Sequence, residues 1–126
     1  MTAPERKCLA AFYRLNLTEA EIKGTSAARL LGVSRAFVSR VASALKAQNL
    51  LLKSDPIILT QEGSRLAALE FKRVDAIGRY LVKNMNSTDE IAWTDALNIL
   101  CALSPRNTRA LDYLIKKADA ALKEEA

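Results

Sequence analysis

The stretch from Thr25 to Val41, TSAARLLGVSRAFVSRV, constrains this chain more than any other. Thr25 or Ser26 is placed to cap a short helix. Gly32 can take the left-handed conformation that ends it. Val33 is the apolar residue that points inward from the turn, and Ser34 is a strong cap for the next helix. Val38, Val41, Ala42 and Leu45 then recur at helical spacing and form one apolar face. The order is small residue, Leu, Gly, apolar residue, Ser and second helix, which predicts a helix-turn-helix.

The flanking sequence fits around this motif. Thr2 and Glu5 have capping-box spacing, and Pro4 suits an early helical position, so a helix is predicted over residues 4–15. Thr18 and Glu21 repeat that spacing before Gly24 and predict a short helical turn. After Asn49 come two apolar runs, Leu50-Leu51-Leu52-Lys53 and Ile57-Ile58-Leu59-Thr60. The turn between them, Ser54-Asp55-Pro56, makes the pair a β-hairpin, the wing of a winged helix. A long helix is expected from Thr60 to about Val82, with Gly78 as its weak point. Ser87 and Glu90 open another helix over residues 88–103. Its apolar residues lie nearly all round, which predicts burial on more than one side. Ser104-Pro105 starts a last helix to about Leu122, with a fraying tail behind it. The fold class is therefore mainly α. A winged helix-turn-helix domain (1–63) is followed by a helical linker and dimerisation domain (64–126).

Charge locates the partner. Residues 1–54 hold 9 Lys/Arg against 3 Asp/Glu, and residues 55–126 hold 10 against 11. The whole net charge of +5 is thus carried by the half that contains the helix-turn-helix. A polyanion is the natural ligand of that half. Composition also speaks against catalysis: there is no histidine, no Gly-rich phosphate loop and no paired-carboxylate motif. Two cysteines, Cys8 and Cys101, make no disulfide framework. Together with the lack of a membrane-length apolar run or a signal-peptide core, they favour the cytoplasm.

A recognition helix presents short or basic side chains to the major groove. Ser34, Arg35, Ala36, Phe37, Ser39, Arg40 and Ser43 fill those positions. Arg35 and Arg40 can each take guanine bidentately or grip phosphate. Ala36 and Phe37 suit thymine methyls, with packing against the preceding helix as the second reading for Phe37. Ser39 suits a phosphate, and Lys46 and Lys53 suit the DNA backbone. One such helix reads only a few base pairs, so the partners expected are double-stranded DNA and a second copy of the chain. Helices 88–103 and 105–122 are the expected dimer surface. Trp93 is either part of it or part of the core. The competing reading is a winged-helix module that binds protein.

The element order, together with Leu59-Thr60-Gln61-Glu62-Gly63 at the wing exit and Ala102-Leu103-Ser104-Pro105 near the end, resembles the DtxR-type metal-dependent repressors. The likeness is greatest to their small manganese-responsive members without an SH3-like domain, and it spans residues 3–122. It implies a homodimeric repressor on a palindromic operator. It also implies a metal site, and there the sequence departs. The family's first-helix acidic pair falls on Cys8 and Ala11, its linking-helix His on Asp75, and its Glu-x-x-Glu-His cluster on Leu97, Leu100 and Cys101. A manganese or ferrous site is not expected from these residues. Cys8, Asp75 and Cys101 remain as a set suited to a thiophilic metal such as zinc. The two cysteines as a redox pair, or simply as small buried side chains, are the other readings.

Overall fold

Thr2 and Glu5 open the first helix reciprocally. The Glu5 N–H donates to the Thr2 hydroxyl (3.2 Å), and the Thr2 N–H donates to the Glu5 carboxylate (2.9 Å). In the computed structural model, which describes residues 1–125, this capping box starts α1 (Ala3–Thr18). The helix runs three residues past the predicted end, to Thr18, which is its last residue rather than the cap of a new turn. Residues 19–23 form no helix. Instead the Ile57 N–H donates to the Ile22 carbonyl (2.9 Å), and Ile22 bridges to Ile57. A tertiary pairing has overridden the local capping signal.

The helix-turn-helix follows as α2 (Gly24–Leu31) and α3 (Arg35–Ala47). Lys23 is the N-cap of α2 and makes no side-chain cap bond, so neither Thr25 nor Ser26 has the predicted capping role. The helix starts two residues earlier because Gly24 itself is helical. Gly32 ends α2 at φ 67°, and the Val33 N–H reaches back to the Ala28 carbonyl (3.0 Å). Ser34 caps α3, its hydroxyl accepting from the Phe37 N–H (3.0 Å). At the far end Asn49 adopts φ 60° and the Leu50 N–H returns to the Leu45 carbonyl (3.0 Å). Asn tolerates this left-handed conformation better than most residues.

The wing is an antiparallel pair, β1 (Leu51–Ser54) and β2 (Ile57–Leu59), with Leu51 opposite Leu59 and Ser54 opposite Ile57. The register shifts between Leu51 and Lys53, so Leu52 is bulged. The next helix, α4 (Gln61–Met85), is 25 residues long. It is followed by α5 (Asp89–Ala102) and α6 (Pro105–Glu125). Thr88, not Ser87, caps α5, accepting from the Ile91 N–H (3.3 Å). Ser104 caps α6 as predicted, accepting from the Asn107 N–H (3.1 Å). Residues 123–125 of the expected fraying tail are helical, and Ala126 lies outside the described residues.

The chain divides into two compact units, Met1–Lys72 and Arg73–Ala126. The division falls within α4. The first half of α4 belongs to the winged helix through its contacts. Ala67 and Leu66 join the core, Phe71 packs at a tilt against Tyr13 with ring centroids 5.0 Å apart, and Glu70 accepts from the Arg6 guanidinium at 3.1 Å. The core of the first unit gathers Cys8, Leu9, Phe12, Ala27, Val38, Leu45 and Ile57 around the three-helix junction. In the second unit Val74, Leu81, Trp93, Leu97 and Leu100 are buried. Arg73 forks onto both carboxylate oxygens of Asp112 at 2.8 and 2.7 Å. Trp93 is thus a core residue. Within one chain, α5 buries only one face and leaves Ile91 and Ile99 exposed, so the predicted burial on several sides is not met inside the unit.

Candidate nucleic-acid interface

Successive residues of an α-helix are about 100° apart. On α3 that rotation turns Val38, Val41, Ala42 and Leu45 into the core. It carries Ala36, Arg40, Ser43 and Ala47 to the opposite, outermost stripe, and all four are exposed. Arg35, Ser39 and Lys46 lie along one flank, also exposed. Small side chains at 36, 43 and 47 let the helix backbone come close to a surface, while the long Arg40 projects from between them. Phe37 is half-buried and packs on the hydrophobic cluster, which favours its packing role. Ser34 is occupied as the helix cap, and its exposed N-terminal turn has the orphan N–H groups that suit an anion.

Electrostatically this face is one-sided. From Ile22 to Ser54 the sequence holds Lys23, Arg29, Arg35, Arg40, Lys46 and Lys53 and not one carboxylate. That run was legible in the sequence and adds Lys23 and Arg29 of the α2 segment to the predicted set. Among the described residues, the side chains of Arg35, Arg40, Lys46 and Lys53 have no hydrogen bond and no ion pair. Arg65 and Arg79, by contrast, are held by Glu62 and Asp75 one helical turn away. Free cations on a rigid helix can accept phosphate or base edges without first giving up a partner.

The wing stands beside the same flank. A small cleft of about 80 Å³ is lined by Arg35, Ser39 and Ala42 of α3 and by Ser54 and Asp55 at the wing tip. Lys53 is exposed on β1. A larger cleft of about 300 Å³ lies behind the wing, between Asn16, Ile22, Ile58 and Ser64, and Glu21 is its one ionisable lining residue.

α3 is anchored at its far end by an interaction that sequence reading did not show. The Gln48 amide donates to the Glu5 carboxylate and to the Ala44 carbonyl. The Thr2 N–H holds Glu5 below the ordinary carboxylate range, burial opposing it and the Gln48 amide helping. Glu5 and Gln48 are 43 residues apart, and no local signal connects them.

Cys8, Asp75 and Cys101 occupy different settings. Cys8 is fully buried in the core of the first unit. Burial pushes its thiol up to about 12, and the Glu5 charge adds to the effect. Asp75 is half-exposed and paired with Arg79 at 2.9 Å. Cys101 is half-buried on α5. Among the described residues, no three Cys, Asp or Glu side chains gather in a way that could hold a metal ion. No described helix is long and apolar enough to cross a membrane.

No protein-family model matches the sequence, and no curated protein matches it. Among solved structures, the chain is similar to that of the manganese regulator SloR, with a TM-score of 0.69 and 24% sequence identity. The match covers 92% of this chain and 55% of that one, so the chain spans little more than half of the regulator's length. The likeness shows the fold: a mainly helical chain with a winged helix-turn-helix.

Proposed function

We propose that this protein is a DNA-binding transcriptional regulator, a repressor, that reads a two-fold symmetric operator as a homodimer. The observation that carries the reading is α3, a capped helix whose exposed Arg35 and Arg40 lack partners among the described residues, inside a 33-residue stretch without an acid. The fold shared with a known regulator supports it, as does the sequence resemblance to the DtxR-type repressors. The dimer draws support from apolar side chains exposed on the second unit. Ile91 is 58% exposed on α5, and Tyr113 and Leu114 are 65% and 59% exposed on α6.

Manganese belongs to the neighbour's name. Among the described residues no carboxylates gather as an oxygen-rich set for it, and control by a thiophilic metal or by thiol oxidation would pass through Cys8 or Cys101. Metal analysis of reduced protein, with Cys8→Ser and Cys101→Ser, tests that control separately from DNA binding.

The test of the main reading is duplex binding across a salt series. Affinity should fall steeply as salt rises, by a slope of about 0.9 per phosphate contacted. Arg35→Ala and Arg40→Ala should each weaken binding, by about 1–3 kcal/mol where the arginine holds a base. Full binding by both variants would remove α3 as the reader. One observation favours a protein-binding module instead: the wing exposes Leu52 and Ile58 beside Lys53. No binding to any duplex at low salt would select that reading.

A further inference from the structure

Asp55 is an anomaly on the cationic face. It is the only carboxylate between Glu21 and Glu62, it is exposed, and it stands at the tip of the wing. Glu62, the next acid along the chain, is paired with Arg65 on its own helix. Among the described residues Asp55 has no side-chain hydrogen bond or ion pair, and neither has Arg35, although both line the same small cleft. The wing is too short to carry its tip away from α3. Its strands have 4 and 3 residues, a reach of about 10–14 Å. β2 is further tied back by the bond from Ile57 to Ile22.

An acid in this place weakens attraction to a polyanion, so its effect is selective rather than additive. Arg35 has two acceptors to choose from on a duplex. Phosphate carries a full negative charge, whereas the O6 and N7 edge of guanine is neutral overall. A carboxylate lining the same cleft repels the first more strongly than the second. We propose that Asp55 is a specificity-determining residue that turns Arg35 from a phosphate grip into a reader of guanine. Arg40 stands on the outer stripe and does not line the cleft, so it is the internal control. The inference rests on the DNA-binding function proposed above.

The experiment begins with selection of bound duplexes from a pool with a randomised core, using the full chain. Affinities for the selected duplex and for a scrambled duplex are then compared at one salt concentration. The proteins compared are the natural one, Asp55→Asn, Arg35→Ala, Arg40→Ala, and each arginine variant combined with Asp55→Asn. Asp55→Asn should bind the scrambled duplex several-fold tighter and lose about tenfold of the ratio between the two duplexes. In the Arg35→Ala background the same change should leave the ratio unaltered, and in Arg40→Ala it should still reduce it. Asp55→Ser repeats the test with a different turn residue. If Asp55→Asn raises both affinities equally, Asp55 is only a repulsive charge and the proposal falls while DNA reading stands. An equal loss of ratio without Arg35 also overturns it. Failure of the natural protein to bind any duplex would end both readings together.

Discussion

Cys8 shows how burial sets the chemistry of a single side chain. Burial pushes its thiol up to about 12 in the folded chain, from an ordinary value of 9.0. The unfolded chain therefore loses this proton first as pH rises. Stability tied to the buried neutral thiol is complete below pH 9 and is lost progressively between pH 9 and 12, by about 4 kcal/mol in full. Denaturation titrations at pH 8 and 11 should show the loss, and Cys8→Ala should remove most of its pH dependence. At pH 8 a thiol reagent should modify half-buried Cys101 first and reach Cys8 only on unfolding. Rapid modification of both would mean that the core around Cys8 opens readily.

The elements are joined at a few close approaches, and two glycines of α4 make opposite demands. At the wing exit, the Thr60 N–H donates to the Leu50 carbonyl (3.0 Å) and its hydroxyl donates to the Asn49 carbonyl (2.9 Å). The same hydroxyl accepts from the Gly63 N–H (3.0 Å). Thr60 thus ties the end of the recognition segment to the start of α4. A Cβ on Gly63 would stand 1.9 Å from the Leu50 carbonyl oxygen, main chain that cannot swing aside. Gly63→Ala should cost about 3 kcal/mol, read from chemical denaturation. At Gly78 a Cβ meets Ala92 and Ala96 at 3.8 and 3.9 Å, ordinary contact. Gly78→Ala should therefore stabilise the protein by about 1 kcal/mol. The sequence pattern marked Gly78 as a weak point, and the geometry adds that the space for a methyl is already there. The pattern Leu-Thr-x-x-Gly was visible too, but its reason was not, because it depends on a carbonyl 13 residues upstream. Gly32, Ser34 and Asn49 were legible for the opposite reason: a cap or left-handed turn is a local requirement, written in the residue that meets it. The loop at residues 19–23 was misread because a strand 35 residues away decides its shape.

On the scale of the whole chain, the acid-free run and the exposed apolar side chains of α5 and α6 fall in different units. The first unit carries the acid-free run, and the second carries exposed Ile91, Tyr113 and Leu114. If those side chains form the seam of the proposed homodimer, Ile91→Glu with Tyr113→Glu should give a folded monomer in sedimentation equilibrium. That variant should retain nonspecific binding and lose most of its affinity for a palindromic site, since each copy then binds half the site alone. A monomeric natural protein at micromolar concentration would remove the seam. The candidate interface was readable at nearly every position of α3, because helical periodicity fixes which residues face outward. Gln48 was not, because its role comes from Glu5 on another element.

The bulge at Leu52 has a further consequence. Ile22 covers part of one edge of the hairpin, while β1 has no strand on its other side among the described residues. An open, flat, apolar edge is a template for stacking between molecules. The misregister at Leu52 and the charge of Lys53 spoil that template. Deleting Leu52 to restore a regular ladder should make the protein prone to ordered aggregation, visible as light scattering in concentrated solution.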